Sequence, residues 1–520
     1  MASETAPAPI ELPRRYNFAI DLIERNLAAG RGGKLAFQDD GMALTYGALA
    51  ERVDRAADLL RGLGLEAEQR VVLALFDTVD FPTMFLGAIK AGIVPVPINT
   101  MLAAQDYDFI LRDSRARALV VSAALLPRLQ PILKDQPHLR AILVSGEADS
   151  PYPKLDRLLA EAAKKADVAD TTPDDVAFWL YSSGSTGQPK GVVHLHAHPI
   201  HTAELYAKPV LGIEQGDTVF SAAKLFFAYG LGNALTFPMA VGAASILSPE
   251  RPTPALVGRI LKDRRPTIFY GVPTLYAAML ASADLPPRDR VALRRCVSAG
   301  EALPPDIGRR WHDHFGIDIL DGIGSTEMLH IFLSNRPGDV RYGTTGGPVP
   351  GYRLRLVDDE GNPVPRGELG ELQVQGPTSA PYYWNNRERS RHTFVGSWTR
   401  SGDKYREDED GYYVYGGRSD DMLKVGGIYV SPFEVEAALA SHDAVLEAAV
   451  VGAPDEDRLV KPKAFVVLKP GRAASPDLAD ELKAHVKSHL APYKYPRWIA
   501  FLDELPKTAT GKIQRFKLRP

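Results

Sequence analysis

The sequence predicts an α/β protein, in which a large N-terminal domain of doubly wound, mostly parallel sheets with a β subdomain precedes a small α+β C-terminal domain. Strand-like and helix-like patterns alternate through the first two thirds of the chain, which is the order found in parallel sheets. From Gly343 the chain changes to short strands with Gly/Pro turns, which indicates the β subdomain. A further change near Asp420 marks the main boundary, so we expect domains over residues 1–419 and 420–520.

The alternation begins with a helix. Thr45 precedes it, and Leu49, Val53 and Leu60 recur on one face, which is the spacing of an amphipathic helix. A strand, a helix ending at Gly92, and three further strands follow. The predicted strands cover residues 70–76, 94–98, 118–121 and 141–144.

The same alternation resumes in the middle of the chain. Strands are predicted over residues 219–224, 244–247, 267–270 and 317–320, with a helix over 254–264. Several of these strands end in polar, Gly-rich turns, and ligands of open α/β sheets bind beyond the carboxyl ends of strands. In the C-terminal domain, Ser475 and Pro476 are typical of a helix start. An apolar line at four-residue steps follows them, formed by Leu478, Leu482, Val486 and Leu490.

Net charge, cysteine count and the absence of long apolar runs exclude several classes of protein. The 61 basic and 64 acidic residues give a net charge of −3, so bulk charge gives no reason to expect binding to nucleic acid or to an anionic membrane. Cys296 is the single cysteine, which excludes an intrachain disulfide and a cysteine-rich zinc site, and we expect it to pack on a strand. There is neither a long apolar span nor a secretory signal pattern, so a cytoplasmic protein without a membrane partner is expected.

The strongest chemical signal is the stretch Tyr181–Gly191, which lies between two apolar runs and is predicted as strand, loop and strand. Its hydroxyls, backbone N–H groups and lysine suit a phosphate cradle, although a flexible surface loop is the alternative. The spacing differs from the common nucleotide loop that opens a helix. The candidate phosphate-binding residues are Ser182, Ser183, Gly184, Ser185, Thr186, Gly187 and Lys190.

Two further turns could complete a nucleotide site. In the first, glycines permit close approach of a ligand and Glu327 could hold a hard cation such as Mg²⁺; its residues are Asp321, Gly322, Ile323, Gly324, Ser325, Thr326 and Glu327. The second turn contains Gly300 and Glu301. A surface turn with a glutamate is the alternative for either one.

Three more residues have both a chemical and a plain structural interpretation. Asp403 in a Gly turn could accept the two ribose hydroxyls, or could form an Asx-turn. Arg418 could donate to ribose or phosphate, or form a surface ion pair. Lys512 could be a mobile cation delivered to a reaction centre, or a solvated tail lysine.

In order and spacing, these motifs resemble those of the adenylate-forming superfamily, which includes acyl-CoA synthetases, luciferases and peptide-synthetase adenylation domains. The resemblance extends from about residue 35 to residue 515. It implies a mobile C-terminal domain and two half-reactions. In the first, a carboxylate attacks the α-phosphorus of Mg·ATP, and in the second, the thiol of coenzyme A displaces AMP.

The resemblance also implies residue roles. Lys512, Thr326, Glu327 and Lys190 would be catalytic, with Glu327 holding Mg²⁺. ATP would contact the phosphate loop together with Gly300, Glu301, Asp321, Gly322, Ser325, Thr326, Asp403, Arg418 and Lys512. Asp420 would be the hinge, and Lys424, Gly426 and Gly427 would line a tunnel for coenzyme A.

The acid cannot be chosen from residue chemistry alone, because the candidate pocket is aromatic and small but also admits a medium-chain acid. Its residues are Phe227, Ala228, Tyr229, Gly230, Gly271, Ile323, Gly324, His330 and Ile331. The resemblance is closest to bacterial benzoate–CoA ligases, which implies an aromatic acid, benzoate. Other CoA-ligase substrates, namely 4-hydroxybenzoate, 2-aminobenzoate or a medium-chain acid, remain alternatives. Ala228 and Tyr229 stand where many relatives have a histidine.

Two other classes of function stay open at this point. One is an adenylating enzyme that loads a separate carrier protein, and the other is a non-enzymatic nucleotide sensor, which the intact set of candidate residues disfavours. The segment before Lys512 resembles an acetylation site of related ligases, so a lysine acetyltransferase is a candidate partner. A monomer or a homodimer is expected.

Overall fold

The structure, a computed structural model, describes residues 10–182, 188–419, 421–425, 428–456, 459–507 and 513–519. Nine of the predicted site residues lie outside these ranges: Ser183, Gly184, Ser185, Thr186, Gly187, Asp420, Gly426, Gly427 and Lys512. The backbone of Lys424 lies on a described strand, but the structure does not describe its side chain.

The helices and strands are numbered in chain order. The first group is α1 (Phe18–Ala28), β1 (Leu35–Gln38), β2 (Ala43–Thr45), α2 (Tyr46–Gly62), β3 (Arg70–Ala74), α3 (Asp80–Lys90), β4 (Val94–Pro97), α4 (Ala104–Ser114), β5 (Ala118–Ser122), α5 (Leu126–Leu133), β6 (Ala141–Ser145) and α6 (Leu155–Glu161).

The second group is β7 (Val176–Ser182), β8 (Lys190–Leu195), α7 (Ala197–Thr202), β9 (Thr218–Ser221), α8 (Ala228–Leu231), α9 (Phe237–Val241), β10 (Ala244–Ile246), α10 (Pro254–Asp263), β11 (Ile268–Gly271), α11 (Pro273–Leu280), β12 (Arg295–Ser298), α12 (Pro305–Phe315), β13 (Ile319–Gly324), β14 (Ile331–Ser334) and β15 (Gly347–Pro348). Two π-helical segments, Ala203–Leu211 and Gly232–Thr236, follow α7 and α8.

The third group is β16 (Arg353–Val357), β17 (Gly370–Gln375), α13 (Arg387–Thr393), β18 (Phe394–Val395), β19 (Trp398–Glu407), β20 (Tyr413–Arg418), β21 (Leu423–Val425), β22 (Ile428–Val430), α14 (Pro432–Ala440), β23 (Val445–Pro454), β24 (Val460–Leu468), α15 (Pro476–His489) and β25 (Trp498–Phe501).

A four-stranded parallel sheet in the order β4-β3-β5-β6 forms the first part of the N-terminal domain. The helix predicted after Thr45 is confirmed as α2, and the Thr45 hydroxyl accepts a hydrogen bond from the Ala48 N–H at 3.2 Å. This bond satisfies one of the free donors of the first turn. Leu49, Val53 and Leu60 are fully buried, as the predicted face requires.

A nine-stranded sheet in the order β15-β14-β13-β12-β11-β9-β10-β1-β2 forms the second part. The strands from β13 to β1 are parallel, and antiparallel strands close both ends. Two sequence boundaries were wrong by three residues or more. The strand expected over 219–224 ends at Ser221, and Asp321–Gly324 belong to strand β13 rather than to a turn, which begins at Ser325. Pairing of β13 with β14 accounts for the longer strand.

The predicted β subdomain is a five-stranded antiparallel sheet of β16–β20. Here the expected Gly turn around Asp403 was wrong, because this residue lies within the ten-residue strand β19. The C-terminal part is α+β, with sheet order β23-β24-β25 and a hairpin of β21 and β22. Its helix α15 starts as predicted, with the Ser475 hydroxyl accepting from the Leu478 N–H at 3.1 Å.

Cys296 is fully buried on β12, which confirms its packing role. Burial raises the pKa of its thiol to about 12. None of the helices in the described ranges combines the length and the apolar character that crossing a lipid bilayer requires.

Candidate active site

The hairpin of β7 and β8 carries both ends of the predicted phosphate loop. Ser182 ends β7 and lies opposite Lys190, the first residue of β8. The Ser182 hydroxyl oxygen is buried without a hydrogen-bond partner among the described residues. A buried polar atom of this kind marks a position where a ligand can supply the missing bond.

Lys190, Glu327 and Tyr383 form a cluster beside this hairpin. The Lys190 Nζ lies 3.7 Å from Glu327 Oε1, 3.3 Å from the Tyr383 hydroxyl and 4.4 Å from the centre of the Tyr383 ring. The Tyr383 hydroxyl donates to Glu327 Oε1 at 2.7 Å. The fold therefore brings together Lys190 and Glu327, which are 137 positions apart in the sequence, and Tyr383 is an additional member.

This cluster holds Glu327 in its charged form. Burial alone would raise the pKa of Glu327, but Lys190 and the Tyr383 hydroxyl outweigh it and the pKa is lowered. Burial lowers the pKa of Lys190, and Glu327 partly offsets that effect. The arrangement presents an ionised carboxylate beside an ammonium group, which suits a site for a cation and phosphate oxygens.

The carboxyl ends of β12 and β13 form a second wall. Asp321 lies opposite Ser298, and each side chain is buried with one oxygen that no described residue hydrogen-bonds. Burial raises the pKa of Asp321 well above its ordinary value. Gly300 follows β12 with φ of +98°, a conformation that favours glycine. These unpaired polar atoms fit a polar, uncharged ligand group better than an anion.

The turn after β13 carries the other predicted ATP residues. Ser325 Oγ accepts from the Met328 N–H at 3.2 Å, and the Thr326 carbonyl accepts from the Leu329 N–H at 3.2 Å. The Glu327 carbonyl accepts from the Ala380 N–H at 2.8 Å. The backbone of this turn is thus tied at several points, which fixes the direction of the Thr326 and Glu327 side chains.

Asp403 and Arg418 face each other across β19 and β20. The Arg418 Nη1 lies 3.2 Å from both Asp403 carboxylate oxygens. Asp403 is buried, whereas 46% of the Arg418 side chain is exposed. Asp403 above all raises the pKa of Arg418, so the pair is ionic and holds the carboxylate in one orientation.

The predicted acid pocket lies where α8 meets the turn at the end of β13. Tyr229 directs its hydroxyl toward the carbonyls of Gly271 and Val297, both at 3.4 Å. Ala228 and Ile331 are buried, and Phe227, Tyr229 and Ile323 pack partly buried against the same core. Gly230, Gly271 and Gly324 also lie on these segments. The wall is therefore mainly apolar and aromatic.

His330 is a neutral member of this wall. Its Nε2 lies 3.2 Å from Asn233 Oδ1 and 3.3 Å from the Tyr229 carbonyl. Its Nδ1 is buried without a partner in the described part of the chain. Burial lowers the pKa of His330 to about 3, so the ring carries no charge at neutral pH.

Sequence reasoning missed two residues that support the predicted ones. Tyr383 was one, and its position in an aromatic run, Tyr382-Tyr383-Trp384, was the available signal. The other is Asp77, whose carboxylate oxygens accept from the Leu225 N–H at 3.2 and 3.3 Å and so fix the start of the turn that leads to Phe227. Both contacts join segments about 150 or more positions apart, so no local pattern predicts the contacts themselves.

The terminal segment reaches the site at one described point. The Ile513 N–H donates to Glu301 Oε1 at 3.0 Å, and Ile513 is the residue after Lys512 in the sequence. The C-terminal part of the chain therefore contacts Glu301, one of the predicted ATP residues.

Comparison with known proteins gives two family matches. The profile described as AMP-binding enzyme matches residues 24–384, and the profile described as AMP-binding enzyme C-terminal domain matches residues 434–512. The chain is 63% identical over 519 residues to benzoate–CoA ligase of Thauera aromatica, covering 99% of this chain and 98% of that protein. It is 54% identical over 512 residues to the 4-hydroxybenzoate–CoA/benzoate–CoA ligase of Rhodopseudomonas palustris, covering 97% and 94%.

Solved structures give the same architecture. The fold is similar to that of a benzoate CoA ligase from Burkholderia xenovorans LB400, with a TM-score of 0.92, 57% identity and coverage of 97% of this chain and 100% of that chain. It is also similar to the anthranilate CoA ligase AuaEII in complex with anthranoyl-AMP, with a TM-score of 0.94, 45% identity and coverage of 98% and 97%.

Proposed function

The chain belongs to the AMP-binding enzyme family, and we propose that it is an AMP-forming benzoate–CoA ligase. It converts benzoate, ATP and coenzyme A into benzoyl-CoA, AMP and pyrophosphate. The observation that carries this conclusion is the similarity along the full chain to the Thauera aromatica benzoate–CoA ligase. ATP and coenzyme A are cytoplasmic metabolites, so we place the enzyme in the cytoplasm.

The first half-reaction joins two anions. A carboxylate oxygen of benzoate attacks the α-phosphorus of ATP, the bond between that phosphorus and the bridging oxygen breaks, and pyrophosphate leaves. Positive groups fixed at the site lower the barrier, because they offset the charge as the anions approach. We assign this role to Lys512, at the carboxylate and α-phosphate, and to Lys190, at the transferred phosphates.

We assign the remaining ATP contacts to the residues that the sequence motifs predict, and the geometry of the described ones supports several of them. The phosphate loop from Ser182 to Lys190 holds the β- and γ-phosphates, and Thr326 contacts the α-phosphate. Asp403, held by Arg418, accepts the two ribose hydroxyls. The unpaired oxygens of Ser298 and Asp321 offer acceptors to the adenine amino group. The remaining predicted residues, Gly300, Glu301, Gly322 and Ser325, border the nucleotide.

Glu327 is the residue that would hold Mg²⁺, which typically takes one or two carboxylates plus phosphate oxygens. The described cluster fits this ion. Lys190 and Tyr383 both contact Oε1, and we assign Oε2 to the cation. Bound Mg²⁺ would offset the charge of the β- and γ-phosphates.

The second half-reaction needs different surroundings. The thiol sulfur of coenzyme A attacks the carbonyl carbon of benzoyl-adenylate, the bond to the AMP oxygen breaks, and the thiol proton passes to solvent. We propose that the domain of residues 420–520 turns about Asp420, withdraws Lys512 and brings Lys424, Gly426 and Gly427 to the site as a tunnel. The contact of Ile513 with Glu301 supports the preceding state, in which the terminal segment lies at the ATP site.

The pocket favours a flat, uncharged ring. Tyr229 and the neutral His330 supply aromatic faces, and Ile323, Ala228 and Gly324 supply apolar or small groups beside them. These groups offer no charged partner to a ring substituent. Benzoate is therefore the expected main substrate, and 4-hydroxybenzoate is the main competitor because the Rhodopseudomonas palustris relative is named for both acids.

The deciding experiment measures pyrophosphate release with and without coenzyme A against benzoate, 4-hydroxybenzoate, 2-aminobenzoate, cyclohexanecarboxylate, hexanoate and acetate. Benzoate should lead, with benzoyl-CoA as the product. A lead by hexanoate would refute the substrate assignment, and pyrophosphate release without any thioester product would refute the ligase.

Lys512→Ala separates the two half-reactions. It should lose pyrophosphate release but keep benzoyl-CoA formation from supplied benzoyl-adenylate. Asp420→Pro should show the reverse bias, because it restricts the hinge. Equal losses in both half-reactions for either variant would contradict the assigned role.

We also propose that a lysine acetyltransferase regulates the enzyme at Lys512, since acetylation removes the charge of that side chain. Peptide mass spectrometry of cells that lack deacetylase activity should show the modification. Its absence from such cells would refute this regulation.

A further inference from the structure

His194 is buried on β8, four residues after Lys190, and no part of it is exposed. Its Nε2 lies 2.9 Å from the carbonyl oxygen of Thr326. The ring stacks on Phe178, with centroids 5.2 Å apart and an interplanar angle of 25°. None of the roles assigned above uses this histidine, although it contacts the backbone of a proposed catalytic residue.

The contact determines where the proton of His194 lies. A carbonyl oxygen only accepts, so Nε2 must carry the hydrogen. In a neutral ring, Nδ1 is then an acceptor, and it lies 3.1 Å from His198 Nδ1, which must be the donor. With its hydrogen on Nδ1, His198 cannot also accept there from the Leu195 N–H, so the 3.4 Å distance between these two nitrogens is a contact and not a hydrogen bond. The bonds therefore run from His198 to His194 to the Thr326 carbonyl.

Burial supports this neutral chain, because it lowers the pKa of His194 to about 4 and that of His198 well below its ordinary value. Both rings thus stay uncharged at neutral pH, and the bond to Thr326 has one fixed direction.

Strand geometry links this bond to the phosphate loop. Alternate residues of a strand share one face, so Lys190 and His194 lie on the same face of β8. Lys190 is 3.7 Å from the Glu327 carboxylate, and His194 bonds the residue before it. The strand that leaves the phosphate loop is therefore joined at two points to the turn that presents Thr326 and Glu327.

We propose that His194 is a positioning residue for the first half-reaction, and that its bond to the Thr326 carbonyl holds the turn in register with the phosphate loop. The inference rests on the proposed function of Thr326 and Glu327. It concerns the formation of the acyl-adenylate, because the cation at Glu327 and the departing pyrophosphate belong to that step alone.

The first test compares His194→Gln with His194→Leu. Glutamine can place an amide N–H near the Nε2 position, whereas leucine fills the space without a donor. We expect His194→Leu to lower kcat for benzoate-dependent pyrophosphate release by about 10- to 100-fold, as small misplacements do, with little change in KM for benzoate. His194→Gln should stay within about fivefold of the wild type. Benzoyl-CoA formation from supplied benzoyl-adenylate should be little changed in both.

The control is His201→Leu. His201 lies on α7, the helix that also carries His198, and its buried Nδ1 has no hydrogen-bond partner among the described residues. It should retain wild-type pyrophosphate release. Wild-type rates for His194→Leu, or equal losses for the leucine and glutamine variants, would overturn the proposal. A wild type that activates a different acid would refute the benzoate assignment instead, and the same variants would then be compared with that acid.

A second measurement does not depend on the activity of any variant. Nitrogen-15 NMR of wild-type enzyme labelled at histidine reports the tautomer of each ring, with His194→Gln used only for assignment. Between pH 6 and pH 8, His194 should be neutral with its hydrogen on Nε2. A hydrogen on Nδ1 alone, or a charged ring, would overturn the proposal whatever the activity.

Discussion

Gly324→Ala tests the wall of the proposed acid pocket. A Cβ atom at this position would lie 2.4 Å from the His330 carbonyl oxygen, 2.6 Å from its carbon and 2.8 Å from the Ile331 nitrogen. All three are backbone atoms, so no side chain can turn away. The φ angle of Gly324 lies outside the left-handed region, which leaves steric contact as the only penalty.

The size of the effect follows from these distances. Ordinary contact requires the backbone at His330 or Gly324 to move by about 1 Å, and a misplacement of that size can cost about 100-fold in rate. Overpacking of this kind also destabilises a protein by about 1–3 kcal/mol. Because His330 belongs to the same pocket wall, we expect both effects together.

The assay is pyrophosphate release with benzoate, combined with urea unfolding. Gly324→Ala should show about 100-fold lower kcat/KM for benzoate and an earlier unfolding transition. The matched control is Gly347→Ala on β15 of the same sheet, where an added Cβ meets nothing within 4 Å, and it should behave as the wild type. If Gly324→Ala matches the wild type in both measurements, the steric reasoning is refuted.

Three other changes address charge and hydrogen bonding. Burial raises the pKa of Asp77 to about 6, above its value in the unfolded chain. The free energy of unfolding should therefore fall by up to about 3 kcal/mol as pH rises from 4 through 6. Asp77→Asn should abolish this loss in urea unfolding, and parallel pH curves for the two proteins would contradict it. Tyr383→Phe removes a donor that helps to lower the pKa of Glu327, so the acid limb of pyrophosphate release should move to higher pH; an unmoved limb would count against the cluster. Arg515 binds the buried Glu436 through two bonds of 2.6 and 3.0 Å, so Arg515→Met should destabilise the C-terminal part by about 3–5 kcal/mol and speed its limited proteolysis, and unchanged cleavage would disprove this.

Much of the fold could be predicted because its signals are local. Thr45 and Ser475 each accept a bond from the N–H three residues later, and this capping chemistry is visible in a few adjacent letters. Buried strands such as β5 and β6 are short apolar runs that end at small polar residues. The order of these elements then fixes a mostly parallel sheet.

The errors occurred where tertiary pairing overrides local preference. Glycines suggested a turn at residues 322–324, but β14 pairs with these residues and extends β13. Asp403 follows Gly402, which has a φ of +75°, yet it lies within strand β19 opposite Arg418, beside register shifts in the pairing with β17 and β20. In both cases the partner strand, which lies elsewhere in the sequence, supplies the hydrogen bonds.

The site was predictable as a set of motifs and less so as a network. Lys190 and Glu327 could be named because loops with glycine, hydroxyl and charge are distinctive. Tyr383 and His194 bond to residues 56 and 132 positions away, and neither of these bonds leaves a pattern in the sequence. Supporting residues of this kind become visible only when the chain is folded.

The burial of Cys296 also matters for the chemistry of the second substrate. An enzyme that handles a free thiol risks mixed disulfides with its own surface cysteines, and a fully buried thiol whose pKa is raised to about 12 is protected from that exchange. The folded enzyme should therefore not react with thiol reagents. These reagents can then measure the free thiol of coenzyme A directly in the presence of the enzyme. A cysteine introduced on the surface would likewise be the sole labelling position, and dyes could test the proposed domain rotation without replacement of Cys296.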